Sequence, residues 1–160
     1  MKTLAIILSF FIGLVVFVPK ENLFFTLQKE LNKQHICIDT KTKENLLSLK
    51  LRNSKIFVNN INFFNIQKTD ILFLLLYNKI NIENIKIDFK NLKINHLNII
   101  YSVLNPLNIS IKGSANFANI EGNIDLKTKK LKVYLLNLTN SSIKSFLKKD
   151  KKGYFYVQTF

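Results

Sequence analysis

The chain has 160 residues, a formal net charge of +14, one cysteine and one arginine. Its length excludes a multi-domain reading and leaves room for one modest core or one extended sheet. Cys37 alone excludes an internal disulfide, and Arg52 as the lone arginine disfavours nucleic acid, whose phosphates and guanines suit arginine's bidentate fork.

After Met1 and Lys2, the segment "TLAIILSFFIGLVVFV" carries no charge until Lys20. As helix, these roughly sixteen residues span about 24 Å. No small-residue cleavage site precedes "VPK", so within residues 1–19 an uncleaved membrane anchor is favoured over a cleaved signal. Lys2 and the free amino terminus place the start inside, which predicts a single-pass protein of the bacterial inner membrane with the rest in the periplasm. Residues 20–34, "KENLFFTLQKELNKQ", follow Pro19 and place Leu23, Leu27 and Leu31 at i, i+4 and i+8. This predicts an amphipathic helix, either with Phe24 and Phe25 at a membrane interface or packed across the end of a sheet.

From His35 onward, residues 35–160 turn to a period of two. Ile36 and Ile38 start a short strand, "TKTKE" reads as a polar loop, and Leu47, Leu49 and Leu51 form the next strand. Ile56 with Val58, then Ile61 with Phe63, continue the pattern. The run Ile71 to Leu76 is apolar on both sides and favours a short helix capped by Thr69 or Asp70.

The stretch "NKINIENIKIDFKNLKINHLNIIY", Asn78 to Tyr101, is the most regular. On a helix its apolar residues point all around the axis, whereas on a strand they share a side in groups. Parity slips at Glu83-Asn84, Lys90-Asn91 and Asn95-His96, where a bulge or tight turn returns the next apolar residue to the same side. Three more strands follow between Leu107 and Leu135, with Gly113 and Gly122 marking bends. "NSSIKSFLKKD" predicts a helix at about 141–149, and "YFYVQTF" closes the chain as a strand.

The expected fold is therefore mainly β: a membrane helix, then a curled, mostly antiparallel sheet of about eight or nine short strands with an amphipathic helix at each end. Two short helices are too few to cover so many one-sided strands, so the sheet must bury its apolar side by curling. No catalytic constellation is present. His35 and His96 lack metal-ligand spacing, the acids are scattered, and no phosphate loop or nucleophile elbow occurs. A non-enzymatic protein with no cofactor and no metal is expected.

The stretch "VPKENLFFTLQKELNKQHICI" after an apolar start resembles the type II secretion system protein N family. The pair "IKGSANF…IEGNIDL" around Gly113 and Gly122, and the segment before "KKGYFYV", resemble that family and the wider AsmA-like group. The resemblance implies a membrane-anchored protein of a secretion or envelope-transport machinery, with secretion-system subunits, membrane or lipid as partners. It also implies an apolar β-groove that holds lipid acyl chains; the chain's own apolar pattern offers Ile82, Ile85, Ile87, Phe89, Ile94, Leu97 and Ile99 for it, residues whose other reading is ordinary sheet core. A second reading is a protein-interaction module that uses an edge strand or the basic carboxyl-terminal helix.

Overall fold

The computed structural model describes residues 2–74, 76–87, 92–139 and 141–160. Two helices open the chain: α1 over Lys2–Phe17 and α2 over Lys20–Lys33. Ten strands follow: β1 (Ile36–Asn45), β2 (Ser48–Val58), β3 (Ile61–Phe73), β4 (Tyr77–Ile87), β5 (Leu92–Ser102), β6 (Asn108–Ala115), β7 (Asn119–Asp125), β8 (Lys130–Leu136), β9 (Lys148–Lys149) and β10 (Tyr154–Thr159). A single helical turn, α3 (Ser141–Lys144), lies between β8 and β9.

All ten strands join one open antiparallel sheet in the order β1-β2-β3-β4-β5-β6-β7-β8-β10-β9. Through β8 it is a simple meander, because short turns bring each strand back beside the one before it. Asn59 and Asn60, both left-handed, make the two-residue turn that joins Val58 to Ile61.

The parity slips appear as backbone features. Asn84 adopts φ 55°, and the β5–β6 register shifts between Ile94 and His96. Asn53 on β2 adopts φ 52° at the same level of the sheet. Asparagine tolerates this left-handed region better than most residues. Each slip swaps which parity faces inward, so Ile80 and Ile82 before it share a side with Ile85 and Ile87 after it. The slip expected at Lys90-Asn91 lies outside the described residues.

Helix α2 lies over the β1 end of the sheet. Phe24 packs with Leu49 and Leu51, and Ile38, Ile71 and Phe73 pack around them. The Glu44 carboxylate accepts the backbone N–H groups of Lys20 at 3.0 Å and Glu21 at 3.2 Å, which serves two of the orphan donors that open α2. Those two hydrogen bonds hold the Glu44 carboxyl below the ordinary glutamate range. The Thr42 hydroxyl donates to Glu21, and Gln28 Nε2 donates to the Ile38 carbonyl at 2.6 Å, tying the helix to the edge strand. Lys20 is buried, and its ammonium donates to the Val18 and Val16 carbonyls at the end of α1.

Several expectations are corrected. Helix α1 has 16 residues, and among the described residues no helix is long and apolar enough to cross a membrane. At 1.5 Å per residue α1 reaches about 24 Å, short of the roughly 30 Å hydrocarbon core. The extended backbone at Pro19, φ −71° and ψ 99°, separates it from α2. The membrane helix, and with it the single-pass placement in a bacterial inner membrane with a periplasmic domain, is therefore overturned.

The helices also do not flank the sheet. The helix expected at about 141–149 shrinks to Ser141–Lys144, and Lys148–Lys149 instead pair with Tyr154 and Phe155. One helical turn is costly to nucleate, while the hairpin gives β10 a partner on its outer side. The Asp150 carboxylate closes that hairpin by accepting the Lys152 and Gly153 N–H groups at 2.8 and 3.2 Å. Ile71 to Phe73 continue β3 rather than forming a helix, and Leu75 lies outside the described residues. "TKTKE" is strand too, the far half of β1. Its side chains face solvent on one side and the polar start of α2 on the other, so an edge strand forms without apolar alternation.

Candidate functional site: the apolar face of the open sheet

Antiparallel register stacks the apolar positions into rows that run across the strands. One row reads Leu49, Ile71, Ile80, Ile99, Ile111, Gly122, Val133 and Tyr156 from β2 to β10. The next reads Leu51, Thr69, Ile82, Leu97, Gly113, Ile120, Leu135 and Tyr154. Beyond the parity slip, Ser54, Ile66, Ile85, Ile94 and Ala115 form a third. Phe64, Ile87 and Leu92 continue a fourth.

All of the sequence-derived groove residues that the structure describes fall on this one face. Ile82 faces Leu97, Ile85 faces Ile94, and Ile87 and Ile99 lie in the flanking rows. Phe89 lies outside the described residues. Of this set only Ile85 is buried; the others are half-buried, because α2 stops over β1–β3. Phe24 is buried against the sheet and Phe25 is half-exposed beside it, with ring centroids 5.7 Å apart. Of the leucine stripe on α2, Leu23 and Leu27 are exposed and Leu31 is half-buried. Phe24 and Gln28, not those leucines, face β1 and β2.

Gly113 and Gly122 set the shape of this face. A Cβ on Gly113 would lie 2.5 Å from the His96 carbonyl oxygen and 2.8 Å from Leu97 Cδ1. One on Gly122 would lie 3.0 Å from the Lys132 carbonyl oxygen. At Gly113 the neighbouring strand leaves room only for glycine, whereas at Gly122 an added methyl would need its neighbours to give by a few tenths of an ångström.

Register adds residues to this face that the sequence reading placed on strands but not in the groove: Ile80 on β4, Ile111 on β6, Ile120 on β7, and Val133 and Leu135 on β8. Their alternation was visible, but nothing in one strand's pattern says which residue of another strand it meets.

The opposite face is polar and charged. Arg52 and Lys68 both reach Asp70, at 3.0 and 3.2 Å, and Lys68 also reaches Glu83 at 2.7 Å. Burial pushes the Asp70 carboxyl up, but the hydrogen bonds and charges of Lys68 and Arg52 outweigh it and leave the group below the usual aspartate range. Hydrogen bonds to Glu83 and Asp70 raise the Lys68 ammonium. Glu121 is likewise paired with Lys152 at 2.9 Å, and Asp150 accepts the Tyr134 hydroxyl at 2.9 Å. His96 Nδ1 lies 3.1 Å from the Ser114 hydroxyl. Among the described residues no cluster of three metal-ligating side chains forms. These carboxylates sit in structural ion pairs and hydrogen bonds rather than opposite one another as an acid–base pair.

Comparison with known family models, with curated proteins and with solved structures finds no match.

Proposed function

We propose that this is a non-enzymatic protein that holds lipid acyl chains on the apolar face of its sheet. The observation that carries the reading is the aliphatic face of β4–β8, where Ile80, Ile82, Ile94, Leu97 and Ile99 stay half-buried around the buried Ile85, Ile111 and Ile120. Five strands at about 4.8 Å spacing give a face on the order of 20 Å wide, comparable with the roughly 15 Å depth of one leaflet's hydrocarbon. Isoleucine, leucine and valine offer no hydrogen-bonding group, which suits a ligand that needs none. Each methylene laid on such a face contributes up to about 0.8 kcal/mol, so about ten offset several kcal/mol of association cost.

The resemblance to the secretion protein N family adds a second reading, a subunit of a secretion or envelope-transport assembly that recruits a partner strand. Its supporting feature is the outer edge of β10, which β9 covers only at Tyr154 and Phe155.

The test uses the full chain. Mass spectrometry of the purified protein is expected to find co-purifying lipid. Ile82→Asp and Leu97→Asp are expected to lose that lipid while far-ultraviolet circular dichroism stays β. Lipid-free wild-type protein that also fails to take up a fluorescent fatty acid overturns the acyl-chain reading.

A further inference from the structure

The polar face carries a crease that the groove does not use. Asn53, Gln67, Asn84 and Asn95 each fall between paired residues and line up across β2–β5, where the parity slips. Asn84 Nδ2 donates to Gln67 Oε1 at 2.6 Å across this line. Beside the crease the sheet surface sinks into a hollow of about 460 Å³. Three lysines line it, Lys55, Lys86 and Lys93, with the amides of Asn65, Gln67 and Asn84, and among the described residues no carboxylate does.

Register explains the lysines' closeness. Asp39 pairs with Lys55, Lys55 with Asn65, Asn65 with Lys86, and Lys86 with Lys93, in one row across five strands. Lys86 and Lys93 are therefore like charges directly opposed, with Cβ atoms about 5 Å apart, an arrangement that costs stability when nothing lies between them. On the other side of the crease the same strands carry Arg52 and Lys68, and there each cation meets a carboxylate within 3.2 Å. Among the described residues, Lys55, Lys86 and Lys93 form no ion pair. Beyond the crease Arg52 and Lys68 are balanced by acids; in the hollow the nearest acid by register among the described residues, Asp39 on β1 opposite Lys55, forms no ion pair.

We propose that this hollow is a phosphate site, with Lys86 and Lys93 clamping the group and Lys55 and the crease amides closing it. A phosphate monoester carries nearly two negative charges and several acceptor oxygens, which answers three ammonium groups and neutral amide donors better than a single carboxylate does. The ligand is a phosphate group either on a free solute or on a phospholipid headgroup.

The full chain, labelled for amide NMR, is titrated with inorganic phosphate at low salt against a chloride control. Shifts are expected at Asn53, Gln67, Asn84, Lys86 and Lys93. Lys86→Gln with Lys93→Gln is expected to raise the phosphate dissociation constant about tenfold. Lys112→Gln, on the same face but outside the hollow, is expected to leave it unchanged; Lys55→Gln gives an intermediate loss. Flotation with phosphatidylcholine vesicles, with and without phosphatidic acid, then separates the sources. Variant-sensitive capture on phosphatidic acid assigns a headgroup, and phosphate binding without capture assigns a free solute. Shifts spread evenly over the polar face, an equal loss in Lys112→Gln, or duplex DNA binding unaffected by the double substitution overturns the site in favour of a diffuse basic surface.

Discussion

At the β1–β3 end, the apolar face meets α2: Leu49 is 0% exposed, Leu51 is 6%, and Phe24 seals them. Across β4–β8 the same face carries residues of the same kind and spacing, and there Ile85, Ile111 and Ile120 are buried while Ile82, Leu97, Ile99, Val133 and Leu135 stay half-buried. The strands do not differ in their inward residues; they differ in what lies over them. Where α2 arrives the face is sealed by a helix; where none does, burial is incomplete and uneven from residue to residue.

If that contrast is real, Leu49→Ala should cost about 4 kcal/mol in chemical denaturation, since it removes a side chain enclosed on every side. Leu97→Ala should cost only about 1 kcal/mol, because part of that side chain already meets solvent. Equal losses at the two positions would mean that the uncovered face is an ordinary closed core. Phe24→Ala should cost about 3 kcal/mol and speed amide exchange in β1 and β2 while β6 and β7 keep their protection. Exchange that rises uniformly over the whole sheet would show that the two ends open as one unit.

A smaller effect is expected in the uncovered half. Gly113→Ala should cost about 2 kcal/mol, because the new methyl meets the His96 carbonyl, a backbone atom with little freedom to move. A neutral result would mean that β5 can move away from β6 at that carbonyl without loss. The smallest effect concerns how α2 is held. Glu44 has its folded pKa lowered by the Lys20 and Glu21 N–H groups, so its contribution is present above the ordinary glutamate range and is lost as pH falls through the lowered value. Acidification should loosen the Lys20 and Glu21 amides before those of β4–β8 respond. Glu44→Gln should flatten that pH dependence, and a profile unchanged by the substitution would assign the capping elsewhere.

Much of the sheet was legible because a strand's alternation needs only its own residues. Asn84 and the Asn95-His96 step were readable as parity slips before any pairing was known, since each restores isoleucine to the side it had left. Other features depended on neighbours and misled. Thr40 to Asn45 carry no apolar alternation, yet they are strand because β2 pairs with them and α2 takes their polar side chains. Ile71 to Phe73 look helical in isolation, but β2 and β4 hold them extended from both sides. The carboxyl-terminal lysines suited a helix end until Tyr154 and Phe155 offered two of them a ladder.

By itself, the sequence determined that this chain is mostly β, that each strand has one apolar side, and where that side changes parity, because the two-residue period is a local property of the backbone. Tertiary structure alone decided the order of the ten strands and the rows that bring Ile82 to Leu97 and Lys86 to Lys93. It also decided that α2 covers one end only and that α1 stops short of a membrane span. Those outcomes depend on cross-strand register and on where a helix comes to rest, which are set by contacts between residues far apart in the chain.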